Sequence, residues 1–276
     1  MTEELEDVMN GVNEVDAKYD AICKSIFQHK EVIAVILKYV VSEFQGKTIP
    51  EIIRWLNGIE FVKQPLNDNI SKSNIIKQDN VEFSSMTEKR LFFDILFQVR
   101  NPAIKKSKLG INLHIDLEFQ NDYNVEYSIA QRGLYYAARE LGHQLNYVDG
   151  NTNYKSLEKV YSIWICRENI PKREQNSIIE YNVQPKLIYG DCYDFKKKEY
   201  DLIDIVVIKL GEKKTTEYDN GILRFLEGVF QTDIKRMEEY INVSDNESLK
   251  KDVVEMKGYM THLLIEERYY NPEKNH

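Results

Sequence analysis

Residues 111–120 read Ile-Asn-Leu-His-Ile-Asp-Leu-Glu-Phe-Gln, an unbroken apolar/polar alternation. A strand sends successive side chains to opposite faces. Ile111, Leu113, Ile115, Leu117 and Phe119 therefore share one face that can pack into a core. Asn112, His114, Asp116, Glu118 and Gln120 share the other. Two carboxylates, an imidazole and two amides on one face are the donor set expected of a strand that builds a metal-dependent site. Residues 91–99 add a further acid, Asp94, inside a near-continuous apolar run. An unpaired charge is costly in an apolar layer, so Asp94 either lies on a wet face or has a cation beside it. Residues 100–110 contain Asn-Pro, Lys105, Lys106, Lys108 and a closing Gly110. That is the chemistry of an extended hairpin loop. Antiparallel pairing of the two strands brings Asp94 to the region of Glu118 and Gln120.

The elements that must position these residues are legible from periodicity. Ile22, Ile26, Ile33, Leu37, Val40 and Phe44 predict a long amphipathic helix over 14–45, ended by Gly46. Thr48, Pro50 and Glu51 predict a capped short helix to about Leu56. Residues 57–80 read as irregular, and 81–84 as a short strand. Residues 125–145 read as a helix with Ile129, Leu134, Ala137, Ala138 and Leu141 inward and with Arg132, Tyr136 and Arg139 on a related face. Residues 160–166 and 202–210 read as buried strands by length and β-branching, and the chain after Gly221 as helical to about Tyr269. The order predicts an α/β fold with a mixed sheet of four or more strands covered by helices.

Composition narrows the class. The chain has 276 residues, 42% apolar and 30% charged, which is a globular balance. The net charge of −8 argues against a purely electrostatic nucleic-acid binder. It divides as −4 over 1–90, +1 over 91–175 and −5 over 176–276, so the segment with the polar strand is the least acidic. Cys23, Cys166 and Cys192 are odd in number and far apart, without disulfide or zinc spacing. No apolar run approaches the roughly 20 residues of a membrane span, and the acidic N-terminus is unlike a secretory signal. These features predict a protein of the reducing cytoplasm without a membrane partner.

Five stretches in order carry a family resemblance: Tyr19-Asp-Ala-Ile-Cys-Lys24, Phe93-Asp-Ile-Leu-Phe97, Glu118-Phe-Gln-Asn121, Arg132-Gly-Leu-Tyr-Tyr-Ala-Ala-Arg139 and Lys159-Val-Tyr-Ser-Ile-Trp-Ile-Cys166. Together they resemble the recombination-promoting nuclease (Rpn) group of the PD-(D/E)XK nuclease family, whose members are described as transposases. The resemblance runs from about Tyr19 to Leu210. It implies a restriction-endonuclease-like core over 1–215 with a C-terminal helical extension over 216–276. Asp94 matches the acid of the second core strand and Glu118 that of the third. Gln120 stands where the wider superfamily has lysine, although Glu-x-Gln is usual in this group. Glu82 and Asp20 fall where the group also tends to carry an acid.

The activity implied is metal-dependent hydrolysis of phosphodiester bonds in DNA, linked to recombination or mobile elements. Asp94, Glu118 and Gln120 would be the catalytic set, and Asp94, Glu118 and Glu82 the ligands of Mg²⁺ or Mn²⁺. Arg132, Tyr136 and Arg139 would bind the substrate. Double-stranded DNA is the implied partner and a homodimer the implied assembly. Two other readings stay open: a nuclease-fold binding module that lacks catalysis, and a toxin-like or phage-defence effector. Plainer readings also attach to single residues. Asp94, Glu118 and Gln120 alone could be a solvent-facing edge, and Asp116 a hydrated surface acid. His114 could be a hydrogen-bonded neighbour, Asp20 a surface partner of Lys24, and 196–198 a solvated lysine loop.

Overall fold

The computed structural model describes residues 21–57, 94–102, 112–144, 154–192, 194–211, 220–231 and 233–270, of which 259–270 as backbone. The expected strand at 81–84, Glu82, Asp20 and most of the 100–110 loop lie outside the described residues. In chain order the elements are α1 (Lys30–Val40), α2 (Ile49–Leu56), β1 (Ile95–Arg100), β2 (Asn112–Asp122), α3 (Ile129–His143), β3 (Lys159–Glu168), β4 (Ser177–Asn182), β5 (Ile203–Lys209), α4 (Gly221–Phe230), α5 (Ile234–Glu238) and α6 (Glu247–Tyr270). The chain falls into two compact units. One comprises Met1–Tyr39, Gln45–Arg54 and Lys214–His276; the other comprises Val40–Phe44 and Trp55–Lys213.

The second unit holds a five-stranded mixed sheet in the order β1-β2-β3-β5-β4. β1 and β2 pair antiparallel as expected, with Ile95 opposite Leu117 and Arg100 opposite Asn112. β2, β3 and β5 run parallel, and β4 closes the far edge antiparallel to β5. β3 lies between two parallel strands and is buried from Lys159 to Cys166, which explains its unbroken apolar composition. α3 forms the crossover between the parallel β2 and β3. β4 was not legible as a strand. Its sequence, Ser-Ile-Ile-Glu-Tyr-Asn, is half-buried to exposed as befits a sheet edge and lacks clear alternation.

Two helical expectations need correction. The helix predicted over 14–45 is broken at residues 27–29. There Gln28 N–H bonds to Ser25 O and His29 N–H to Ile26 O, a tighter i→i+3 pattern. Ser25 Oγ and His29 Nε2 both reach Asp252 Oδ2 of α6, at 2.7 and 3.0 Å. Side-chain partners distant in sequence thus override an apolar period that continues through the break. The region after Gly221 likewise divides into three helices, separately capped. Asn220 Oδ1 accepts from Ile222 N and Leu223 N, Asp233 Oδ1 from Arg236 N, and Asn246 Oδ1 from Leu249 N. Ring contacts Phe27–Phe230 and Phe225–Tyr240, both 5.6 Å between centroids, mark the core of this helical unit.

The inward face of α3 also differs from the expectation. Ile129 and Ala137 are buried as predicted, together with Gly133, Tyr136 and Glu140. Leu134 is 50% exposed and Ala138 is exposed. The helix turns its polar stripe toward the sheet because the sheet face beneath it is the polar face of β2.

Candidate active site

The polar face of β2 is roofed by α3, so His114, Asp116 and Glu118 are all buried. Asp94 precedes β1 by one residue, and the pairing of Ile95 with Leu117 carries it opposite Glu118. The two acids are joined reciprocally through the backbone. Asp94 N–H donates to Glu118 Oε1, and Phe119 N–H donates to Asp94 Oδ2, both at 2.9 Å. Asp94 is half-buried while Glu118 is buried. Burial first, and the Asp94 charge second, push the Glu118 carboxyl up to about 7, against the hydrogen bond from the Asp94 backbone.

Asp116 sits one position deeper on the same face. Trp164 Nε1–H donates to Ser162 Oγ at 2.8 Å, so the serine hydrogen is directed to Asp116 Oδ2 at 2.7 Å. Asp116 Oδ1 is buried without a hydrogen-bond donor among the described residues. Its neighbour is the Glu118 carboxyl. Two ionised carboxylates only accept, so that contact becomes a hydrogen bond only with a proton in it. Burial, then the Glu118 charge, hold Asp116 well above the usual carboxylate range.

The roof is fitted closely. Tyr136 meets Trp164 edge-on at 5.5 Å. A Cβ at Gly133 would come within 2.7 Å of Ile205 Cγ2 and 2.8 Å of Trp164 Nε1, so glycine lets the helix approach the sheet this far. Arg132 leans over the site. Its guanidinium lies 5.0 Å from the Trp164 ring, 5.1 Å from Tyr136 and 5.6 Å from Tyr127. It donates to Tyr127 Oη and Tyr136 Oη, both at 2.8 Å, and to Gln120 Oε1 at 3.5 Å. Among the described residues no carboxylate lies within ion-pair distance of it. It is a cation held by neutral groups and aromatic faces, a setting that accepts an anion. Gln120 is turned toward the rim, its Nε2 donating to Asp122 O at 2.6 Å. Arg139 lies about two turns farther along α3.

His114 occupies the other end of the polar face. Nδ1 is 2.7 Å from Glu140 Oε1 and Nε2 is 3.0 Å from Glu158 Oε2. This fulfils its reading as a hydrogen-bonded neighbour. Asp116, by contrast, is no hydrated surface acid.

A second buried carboxylate group lies on the opposite face of the sheet. Lys159 Nζ is 2.6 Å from Asp204 Oδ2, 2.8 Å from Asp201 Oδ1 and 3.6 Å from Glu43 Oε1. Tyr161 Oη–H donates to Glu43 Oε2 at 2.6 Å. Asp204 Oδ1 is buried without a partner among the described residues, and burial followed by the Asp204 charge raises the Glu180 carboxyl.

The structure thus brings together Asp94, Glu118, Gln120, Arg132 and Tyr136. Sequence reasoning missed Ser162, Trp164, Glu140 and Glu158. Ser162 and Trp164 share the β3 face that abuts Asp116 and Glu118 in parallel register, and the Ser-x-Trp alternation within 160–166 was the available signal. Among the described residues, no group of three or more His, Cys, Asp or Glu side chains is arranged to hold a metal ion, and no helix is long and apolar enough to cross a membrane. No protein-family model, curated protein or solved structure matches the chain.

Proposed function

We propose that the protein is a Mg²⁺- or Mn²⁺-dependent endonuclease of the PD-(D/E)XK type, acting on double-stranded DNA. The observation that carries this reading is the reciprocal locking of Asp94 and Glu118 under a guanidinium that has no carboxylate partner among the described residues. Asp94 and Glu118 would hold the divalent ion, with Glu82 as a further ligand by family resemblance. The donor set fits such an ion: all its atoms are hard oxygens, and Asp116 Oδ1 beside Glu118 is a further buried oxygen without a hydrogen-bond donor among the described residues. When bound, the ion supplies charge stabilisation of the phosphate and hydroxide near neutral pH.

The chain's own residues do the rest. Asp94 and Glu118 fix where hydrolysis occurs, since each carboxylate has one oxygen tied to the partner strand. Arg132, oriented by the Tyr136 and Tyr127 hydroxyls, receives the phosphate anion. Gln120 orients water by hydrogen bonding; its amide accepts no proton near neutral pH and cannot serve as a base. Trp164, Tyr136 and Gly133 keep bulk water from the carboxylates. Arg139 as a substrate contact, the homodimer, the cytoplasmic setting and the link to recombination rest on family resemblance or composition. The engagement of Gln120 with Asp122 O and Arg132 favours a second reading, a nucleic-acid-binding module without turnover.

The test is cleavage of supercoiled plasmid by the purified chain with Mg²⁺, Mn²⁺ or EDTA. We expect metal-dependent nicking or linearisation, lost in Asp94→Ala and in Glu118→Ala, weakened less by Gln120→Ala, and kept or raised by Gln120→Lys. Undiminished cleavage by the Asp94→Ala/Glu118→Ala double variant would assign the activity elsewhere. Silence of the wild type on both DNA and RNA, with DNA still bound, would favour the binding module.

A further inference from the structure

Both ring nitrogens of His114 face carboxylate oxygens, Glu140 on α3 and Glu158 just before β3, and the ring is 4% exposed. A neutral imidazole offers one donor and one lone pair. Only the imidazolium can donate to both neighbours, so this geometry calls for the charged ring. Burial opposes the charge, but the hydrogen bonds the ring donates to the two carboxylates prevail and hold it at about 9.

The surrounding contacts converge on the C-terminal end of α3. Glu158 Oε1 accepts from Asn112 N–H at 2.8 Å. Gln144, which caps α3, donates through Nε2 to Glu158 O at 3.0 Å and accepts from Glu158 N–H at 2.7 Å. Glu140, Tyr136 and Arg132 follow one another at four-residue spacing, so they line one stripe of the helix. The end that carries Glu140 is tied to β2 and β3, and the end that carries Arg132 overhangs Glu118 and Gln120. The groups facing His114 are Glu140 from α3, Glu158 ahead of β3, Asp116 on its own strand face, and the uncharged Gln98 opposite it on β1.

We propose that His114 is a positioning residue: clamped between Glu140 and Glu158, it docks α3 on the sheet and so sets Arg132 over the carboxylate site. Its bearing on cleavage rests on the nuclease reading; the clamp itself does not. Once the ring loses its second proton, one nitrogen lone pair faces a carboxylate oxygen and the tie becomes repulsive.

Trp164 lies beneath Arg132 and Tyr136 and reports the docking. The chain has two tryptophans, so a Trp55→Phe background leaves Trp164 as the only indole, read by fluorescence of the full chain from pH 7 to 10. We expect a transition with a midpoint near 9 that is absent in His114→Gln, which keeps the same tyrosines. Glu140→Gln retains the ring and one carboxylate, and should move the midpoint down by one unit or more; it serves if His114→Gln does not fold. For plasmid cleavage at pH 7.5, His114→Gln should raise KM about tenfold with kcat within about twofold. Superimposable Trp164 curves for the parent and His114→Gln, or an unmoved midpoint in Glu140→Gln, would overturn the clamp even if cleavage persists. An inactive parent with the pH 9 transition intact would overturn the nuclease reading and leave the clamp standing.

Discussion

The sheet buries acids on both of its faces, but the two groups are balanced differently. On one face Glu43, Asp201 and Asp204 surround the Lys159 ammonium, which lies 2.6 to 3.6 Å from all three. On the other face Asp116 and Glu118 accept from neutral donors, the Ser162 hydroxyl and the Asp94 backbone N–H. Arg132, the nearest guanidinium, is engaged by phenols and an amide. Burying charge without compensation costs several kcal/mol; the first group is tied by lysine, whereas burial raises the Asp116 and Glu118 carboxyls of the second. The difference separates a lysine-centred tie from a pair of raised carboxyls that favour a proton. Two clusters of similar composition thus carry opposite electrostatic demands.

Removing the resident cation should break this contrast most. Lys159→Met leaves the buried Asp204 and the half-buried Glu43 without the lysine, Asp201 keeping only Lys197, and we expect a loss of about 3–5 kcal/mol in urea unfolding at pH 7. Preserved stability would mean that the acids are hydrated or protonated there too.

The pH profile sharpens the other side. The Glu118 carboxyl titrates at about 7 in the folded chain against an ordinary 4.5. The native state then holds more protons than the unfolded state between these values, so stability falls as pH rises from about 4.5 to 7. The size is roughly 3 kcal/mol. Glu118→Gln should flatten that window in unfolding curves at pH 5 and 7; the His114 contribution also declines above 6.5, but it is common to both chains and cancels in the comparison.

The same substitution made once in each cluster is a direct comparison. Asp204→Asn removes the shortest Lys159 partner and should cost about 2 kcal/mol. Asp116→Asn replaces a carboxyl held well above its usual range with an amide that can accept from Ser162 and donate to Glu118, and should change stability by less than about 1 kcal/mol. Equal losses by chemical denaturation would erase the distinction. A smaller loss than for Asp204→Asn is expected for Asp201→Asn, about 1 kcal/mol, because Lys159 keeps Asp204 and Glu43.

The strand alternation at 111–120 and the apolar run ending at Val99 disclosed two adjacent antiparallel strands, because side-chain periodicity is local information; their register, and with it the meeting of Asp94 with Glu118, was not fixed by periodicity. The polar face of β2 gave no sign of being roofed. A strand records which residues share a side; it does not record what packs above them. The inward stripe of α3 was misjudged for the same reason. Leu134 and Ala138 were chosen for hydrophobicity, whereas Tyr136, Glu140 and Arg132 answered the sheet's polar groups. β4 escaped notice because an edge strand needs no clean pattern. The breaks at 27–29 and after Phe230 depend on partners distant in sequence, such as Asp252 for His29.

At position 133 a hydrogen atom stands where any other residue would place a carbon within 3 Å of Trp164 and Ile205. That single omission acts as a gauge for the gap between roof and floor. A methyl group there would lift the near end of the helix while the far end stayed fastened, tilting the guanidinium away from the acids and widening the mouth of the site. On the proposed nuclease reading, clearance as much as donor chemistry then decides which anions can enter.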